Sequence, residues 1–323
     1  MVERPAHPRG PIEWAASGAR AAIDREVSVT LPGITGQGEQ WNASWRWWTG
    51  RPRIALSFET PHRGVLPGVW RVEGSWEAQT YAFGTTAGSA SRVLSPVIED
   101  RAHGGFVASD WLTADLRYEA NVGIDVWNGA RRTASVGGSL ERRFAGDRAS
   151  IAGDAAAWMP IAGGEAFQSA GVRARWRSSV ATTGTVYVAG GGVEAVSAAA
   201  PLALWPGAGD GHARAPLLRA HPLLHEGVIN GPAFGERLTY ATGEIQRWTG
   251  LRGSWLPVRF AIAGFVDLAR ASRRAPAASG DPFQIDAGIG VRVKVPGQKG
   301  TLRVDIGRGV RDAAQALTLG WQF

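Results

Sequence analysis

Apolar and polar residues alternate strictly along residues 283–295, "FQIDAGIGVRVKV". The apolar set is Phe283, Ile285, Ala287, Ile289, Val291, Val293 and Val295. The intervening set is Gln284, Asp286, Gly288, Gly290, Arg292 and Lys294. Because successive side chains of a β-strand point to opposite faces, this alternation predicts a strand with one apolar and one polar face.

The same alternation recurs in about fourteen segments separated by turn residues, and this spacing predicts an all-β sandwich or barrel. The segments lie near residues 39–48, 52–60, 69–82, 102–111, 114–127, 132–142, 147–158, 166–177, 184–196, 236–248, 256–269, 283–295, 300–308 and 314–323. A weaker stretch at residues 25–31 could add one more strand.

Segment length favours a membrane barrel over a sandwich. Strands of soluble proteins typically have about 5–6 residues, whereas many of these segments have about 9–13, which is enough to cross a bilayer at a tilt. We therefore predict a transmembrane antiparallel up-and-down β-barrel of about 14–16 strands in the bacterial outer membrane. The barrel is expected over residues 39–323, with a long loop at 197–235, after an N-terminal segment 1–38 that is partly ordered or adds one strand.

Connector lengths agree with this reading. Short connectors such as "VPGQKG" and "SSVATTG" alternate with longer ones such as 83–101 and 197–235, as inner turns and outer loops do in outer-membrane barrels. Several tryptophans lie near predicted strand ends and suggest an aromatic girdle at the membrane surface. They are Trp48, Trp111, Trp127, Trp158, Trp248 and Trp255.

Composition excludes several classes of protein. The absence of cysteine removes disulfide frameworks and thiolate sites, and no apolar run approaches the roughly 18 residues of a transmembrane helix. Although the net charge is +7, the arginines are dispersed among Asp and Glu, so solvated faces are favoured over nucleic-acid binding. The start of the chain shows no signal peptide. Either the protein stays in the cytoplasm, or the sequence begins after the signal or within a longer gene.

No catalytic, cofactor or metal site is predicted. His221 and His225 have a spacing that can bind metal on a helix, but Pro222 interrupts the helix and no acidic partner is present. No nucleophile elbow, P-loop or dinucleotide fingerprint occurs. An enzyme built at the barrel rim remains the minor alternative, since His103 and His212 are also available.

The last third of the chain carries a family resemblance. The segments "PLLRAHPLLHEGVINGPAFG", "GEIQRW" and "FVDLA", followed by "RVDIGRGVRDAAQALTLGWQF", occur in the order of a conserved loop and closing strands. In this order and spacing the chain resembles the barrel of BamA/TamA-type (bacterial surface antigen) outer-membrane insertases and of two-partner secretion transporters. The POTRA domains that precede the barrel in family insertases have no counterpart in residues 1–38.

The resemblance implies site residues. Arg219 corresponds to the loop arginine that folds into the barrel, and Phe265 and Asp267 to its receptors on the inner wall. Ala220 and His221 replace the glycine and aromatic residue of the loop motif, and Ala269 replaces the glycine after the aspartate. A second candidate, "LRGSW" at 251–255, matches the letters better but lies on a predicted inner turn, so Arg219 is preferred. The apolar ending resembles a sorting signal read by the assembly machinery, formed by Leu317, Leu319, Trp321 and Phe323.

The resemblance implies an outer-membrane barrel that helps proteins or other hydrophobic clients enter or cross the membrane. Its expected partners are the lipid bilayer, the outer-membrane assembly machinery and an unfolded protein client, without cofactor, enzymatic activity or nucleic acid. A passive porin-like channel, a membrane anchor of a longer protein and a soluble ligand-binding barrel are the alternatives. Whether 197–235 lies inside the lumen as a plug discriminates the channel from the first hypothesis.

Overall fold

A computed structural model describes most of the chain. The described residues are 18–19, 21–22, 25–33, 35–64, 67–82, 84–85, 92–93, 96–162, 164–209, 214–249, 258–272, 282–294 and 300–322. Among them, no helix has the length and apolar character needed to cross a membrane.

Within the described residues, nineteen strands follow one another. They are β1 (Glu26–Pro32), β2 (Gln40–Trp48), β3 (Arg51–His62), β4 (Gly68–Tyr81), β5 (Gly84–Thr85), β6 (Arg92–Val93), β7 (Val97–Trp111), β8 (Leu116–Trp127), β9 (Arg131–Phe144), β10 (Ala149–Ala162), β11 (Phe167–Arg177), β12 (Gly184–Val196), β13 (Leu224–His225), β14 (Val228–Ile229), β15 (Arg237–Thr249), β16 (Arg259–Ser272), β17 (Gln284–Lys294), β18 (Thr301–Gly309) and β19 (Gln315–Gln322). A single 3₁₀ turn is described at Leu202–Leu204.

The long strands form one up-and-down antiparallel sheet. Each pairs with its neighbour in the chain from β1 through β4, then from β7 to β12, and from β15 to β19. β4 pairs with β7 and β12 with β15 across the two longest connections. Setting the two-residue strands β13 and β14 aside from the 17-stranded sheet leaves 15 long strands. This confirms the predicted all-β fold class and strand number.

The two faces of the sheet differ as the alternation predicts. On β16, Ile262 is 67% exposed, whereas its neighbours Ala261 and Ala263 on the other face are buried. On β19, Leu317 is 73% exposed while Thr318 is buried. In water such an apolar outer face would need a second layer, whereas a barrel in lipid presents apolar residues outward. The exposed face is therefore the lipid-facing surface.

The N-terminal segment contributes a strand. β1 pairs with β2 over its whole length, from Glu26 opposite Arg46 to Pro32 opposite Gln40. Its lipid-facing residues Val27, Val29 and Leu31 are all exposed. The weak alternation at residues 25–31 thus belongs to the barrel wall.

The buried core lies inside the barrel, where the connection between β12 and β15 packs against the wall. Tyr81 of β4 forms a cluster with Leu223, Leu224, Ile229 and Phe234 of this connection. A second cluster joins Leu218 and Ala233 of the connection to Leu238 and Ala269. The described part of the connection therefore packs inside the lumen against β4, β15 and β16.

The predicted aromatic girdle is wrong for several tryptophans. Trp127, Trp158 and Trp248 are buried, and the first two pack with Phe167 and Ala200 at the foot of the connection. A girdle faces lipid, whereas these rings face the lumen, where Trp248 packs with Val186 and Ala261 of the wall. Proximity to a strand end does not reveal which face a side chain occupies.

Candidate functional site

The candidate site is a buried ionic cluster between the connection and the inner wall of β15 to β18. The wall contributes acidic and basic side chains from alternate positions, all of which point into the lumen. These are Glu244 of β15, Asp267 of β16, Asp286 and Arg292 of β17, and Arg303 and Asp305 of β18. The connection contributes Arg219 and His221.

Arg219 is the centre of the cluster and is fully buried. Its Nε and Nη2 atoms donate to the two carboxylate oxygens of Asp267, at 2.7 and 2.9 Å. Its Nη1 atom donates to Glu244 at 2.7 Å and lies 3.4 Å from Asp305. The guanidinium carbon lies 3.5 Å from the centroid of the Phe265 ring. This combination of a bidentate ion pair and a cation–π contact fixes both the position and the plane of the guanidinium.

A second arginine shares the same carboxylates. Arg292 donates from Nε and Nη2 to both oxygens of Glu244, at 2.7 and 2.6 Å, and from Nη1 to Asp305 at 2.6 Å. Arg303 donates to Asp305 at 2.8 Å. Three arginines thus face the three carboxylates of Glu244, Asp267 and Asp305. Because the formal charges balance, none of these buried ions is left uncompensated.

His221 anchors the connection beside Arg219. Its Nδ1 atom lies 2.7 Å from Asp286 Oδ1, and its Nε2 atom lies 2.7 Å from Asp312 in the β18–β19 turn. Burial alone would lower the pKa of His221, but the hydrogen bonds to the two carboxylates outweigh burial and raise it to about 9. His221 is therefore protonated at neutral pH and links β17 to the turn at the outer rim.

Glycine makes room for the connection on β18. A Cβ atom at Gly307 would lie 2.9 Å from both the backbone nitrogen of Ala220 and the carbonyl carbon of Arg219. At the next lumen-facing position of β18, a Cβ atom at Gly309 would lie 2.8 Å from Cε1 of His221. Close backbone approach requires the missing side chain.

The opposite end of the connection is attached across the lumen. Val228 and Ile229 pair in parallel with Thr80 and Tyr81 at the outer end of β4. Gln79 Nε2 donates to the carbonyl of Gly227 at 3.0 Å. The connection therefore spans the barrel from the wall of β15–β18 to β4.

The structure brings Arg219, Asp267 and Phe265 together as the resemblance implies, although their functional role stays a prediction. The alternative arginine segment 251–255 lies outside the described residues, as does Phe323. Leu317 is exposed and Leu319 half-buried on the lipid-facing side. The role of the ending as a sorting signal is untested by these positions.

Sequence reasoning missed Glu244, Arg292 and Asp305 as partners of Arg219, and Asp286 and Asp312 as partners of His221. The polar faces of β17 and β18 were visible as alternation, but alternation does not state which charge meets which. Arginines expected on solvated faces, such as Arg292, are buried within this cluster.

The wall far from this cluster carries another buried carboxylate. Asp125 accepts from Arg101 at 2.7 Å and from Trp158 Nε1 at 2.9 Å, and lies 2.9 Å from His103 Nδ1. No serine, threonine or cysteine is hydrogen-bonded to His103 among the described residues, so this cluster has no nucleophile. In the same described part of the chain, no group of three or more His, Cys, Asp or Glu side chains is arranged so that it could hold a metal ion.

Solved structures resemble this chain over almost its whole length. BamA from Haemophilus ducreyi lacking POTRA domains 1–3 matches with a TM-score of 0.64 at 13% identity, covering 92% of this chain and 66% of that one. CdiB from Escherichia coli matches with a TM-score of 0.61 at 12% identity, covering 92% and 58%. CdiB from Acinetobacter baumannii matches with a TM-score of 0.53 at 12% identity, covering 91% and 55%.

The chain thus spans about two thirds or less of each of these structures. Comparison with models of known families and with curated protein sequences yields no match. An antiparallel barrel with an apolar outer face is the architecture of outer-membrane proteins. The lipid-facing surface, the strand order and the similarity to these structures lead to one conclusion. The chain has the fold of the BamA- and CdiB-type barrels of the bacterial outer membrane.

Proposed function

We propose that this chain is the barrel of an outer-membrane insertase or translocase, which helps protein or other hydrophobic clients enter or cross the membrane. The observation that carries the proposal is that the first and last described strands of the sheet are not paired with each other. Among the described residues, no hydrogen-bonded register joins β1 to β19. An unpaired strand edge offers backbone donors and acceptors to which a client strand can add.

The lengths of the edge strands support the same proposal. β1 has 7 residues and β19 has 8, compared with 15 in β7. Short edges can form few hydrogen bonds with each other, so parting them costs less than parting any two long neighbours. The weak point of the barrel is therefore its seam.

The filled lumen argues against the passive channel. The connection between β12 and β15 crosses the outer half of the barrel and is attached to both sides by buried contacts. A solute would have to displace Arg219 from three carboxylates, which leaves charges buried without partners. The proposed partners are the bilayer, the assembly machinery that inserts this barrel, and an unfolded protein client.

Disulfide cross-linking of the seam tests the proposal. The chain contains no cysteine, so pairs can be introduced without background. Ser28→Cys or Thr30→Cys in β1 would be combined with Thr318→Cys or Gly320→Cys in β19. In proteoliposomes, insertion of a small barrel client should be lost when such a pair is oxidised and restored by reductant.

The matched control joins two strands that are already paired. Ile306→Cys and Leu317→Cys are directly opposed on β18 and β19 and should cross-link without affecting client insertion. Full insertion by a quantitatively cross-linked seam variant would refute the seam as the route. Failure of every seam pair to cross-link would show that these edges do not adjoin.

A further inference from the structure

In the described part of the chain, four arginines lie on the lipid-facing side of the sheet, each at the end of its strand nearest the outer loops. They are Arg132 of β9, Arg237 of β15, Arg270 of β16 and Arg308 of β18. Arg270 shares its face with Val266 and Leu268, and Arg308 shares its face with Ile306. At the outer end of a strand, an arginine side chain reaches the headgroup layer of the bilayer, while the apolar residues nearer the bilayer centre contact acyl chains.

Two of these arginines are close neighbours. Arg237 is opposite Ser272 and Arg270 is opposite Thr239 in the antiparallel register of β15 and β16. The two arginines are thus diagonal neighbours, a spacing of about 7–8 Å that long side chains can bridge. Among the described residues no carboxylate forms an ion pair with either of them, whereas Arg142 at the inner end of β9 pairs with Asp115.

A shallow apolar groove leads away from Arg237 across the outer face of the barrel. Directly opposed small residues form its floor: Ala120, Gly138, Ala155, Ala170 and Ala195, with Arg237 next in the row. Larger side chains on the same lipid-facing surface border the groove on the side nearest the inner turns: Tyr118, Leu140, Val172 and Val193. Two adjoining hollows of about 680 and 830 Å³ lie along this groove, and Arg237 lines both.

We propose that the Arg237–Arg270 pair and this groove bind a lipid whose headgroup carries a phosphate. The guanidinium groups hold the phosphate oxygens through charge-assisted, potentially bidentate hydrogen bonds. One acyl chain lies along the groove, where apolar side chains replace its contacts with other lipids. The occupant is a lipid rather than a protein because the groove lies on the face that meets the bilayer and its charged end is complementary to an anionic headgroup.

A phospholipid and a phosphorylated glycolipid share this chemistry, and the test separates them. The site lies on β8 to β16, away from the edges of β1 and β19, so it does not depend on the proposed function. Loss of client insertion and loss of lipid binding can accordingly be measured as separate properties.

The experiment is native mass spectrometry of the full chain in detergent micelles doped with one defined lipid. The lipids are phosphatidylglycerol, a diphosphorylated lipid A and a phosphate-free glucosyl diacylglycerol. Wild-type protein should retain a phosphate-bearing lipid on the order of tenfold more than the phosphate-free one. Whether phosphatidylglycerol or lipid A is retained longer at equal concentration identifies the source.

The decisive variants are matched in charge. Arg237→Gln with Arg270→Gln should lose this preference, whereas Arg132→Gln with Arg308→Gln removes the same charge at the same height and should keep it. If the first pair prevents folding, Arg237→Lys with Arg270→Lys keeps the charge without the bidentate geometry and should retain an intermediate amount. Equal retention by the two Gln pairs would overturn the site and leave only non-specific attraction.

A third variant tests the groove. Ala170→Phe fills the middle of the floor without changing charge, and its folding can be checked by gel mobility with and without heating. It should reduce retention of the phosphate-bearing lipids. Unchanged retention by folded Ala170→Phe protein would overturn the assignment of an acyl chain to the groove.

Discussion

Two parts of the barrel wall contain the same alternation of charged and apolar residues but place their charges in different surroundings. On β15 to β18, Glu244, Asp267 and Asp305 are buried beneath the connection, where they meet its Arg219. On β3 and β4, Arg71 lies 2.8 Å from Glu73 and 3.8 Å from Glu59, but all three side chains stay about 30% exposed. The free-energy value of an ion pair therefore depends on what covers it.

The physical reason is desolvation. A buried ion that loses its partner is left in a medium of low polarity, whereas an exposed ion is resolvated by water. The covered wall thus locks the connection in place, and the open wall is a solvated lining. Five predictions test this contrast, in order of decreasing expected effect.

Arg219→Ala should have the largest effect. The substitution removes a positive charge that neutralises the buried carboxylates of Glu244, Asp267 and Asp305. The free energy of unfolding should therefore fall by about 3–5 kcal/mol. Urea titration of the detergent-solubilised protein, followed by heat-modifiable gel mobility, measures this change. Arg219→Lys keeps the charge but not the bidentate geometry and should recover only part of the loss.

The same measurement can establish coupling within the cluster. Asp267→Ala combined with Arg219→Ala should cost less than the sum of the two single variants, because the residues share one ion pair. Strict additivity would contradict the pairing.

Attachment of the connection through His221 should depend on pH. The folded-state pKa of about 9 exceeds the ordinary value of about 6.5. The stabilisation is therefore complete below about pH 6.5 and is lost as pH rises through about 9, a change of at most about 3 kcal/mol. Asp286 and Asp312 are the charged groups that face the ring. Limited proteolysis of the 197–235 connection between pH 6 and 10 measures its release.

His221→Gln is the control for the pH experiment. It keeps a hydrogen-bonding side chain but cannot acquire charge in this range, so proteolysis should show little change with pH. An equal pH response in this variant would assign the effect to another group.

Gly307→Ala should have an intermediate effect. The new Cβ atom would lie 2.9 Å from backbone atoms of Arg219 and Ala220, so the connection must shift, at a cost of about 1–3 kcal/mol. Gly104→Ala on β7 is the matched substitution, because nothing lies within 4 Å of its Cβ position. Similar destabilisation by both substitutions would argue against close packing of the connection at β18.

Arg71→Ala on the open wall should have the smallest effect. Its partners Glu59 and Glu73 remain accessible to water, so the free energy of unfolding should change by about 0–1 kcal/mol. A loss as large as that of Arg219→Ala would remove the distinction between the two walls.

Much of the fold was predictable because lipid on one face and a polar lumen on the other impose a period of two on the long strands. The alternation at residues 283–295 and 300–308 gave the faces of β17 and β18 directly. Even β1, with only a weak pattern, was visible. The tryptophans were harder to assign because a ring at a strand end can face either lipid or lumen, and Trp158 packs inward on Phe167.

The candidate site was predictable only in part. Arg219 was identified by its place in a motif order and Asp267 by its position on the inner face of β16. His221, considered as a metal ligand, instead bridges two carboxylates that are 65 and 91 residues away in the chain. Such pairings depend on the order and stagger of strands, and periodicity carries no information about stagger.

The sequence by itself determined that this chain forms a membrane barrel and which side of each strand meets lipid, because those properties follow from local alternation. Only the tertiary structure decided that the connection enters the lumen, that Arg219 is shared by three carboxylates, and that Arg237 and Arg270 meet beside a groove. These features join residues far apart in the chain, and their energies depend on burial, which exists only once the barrel has formed.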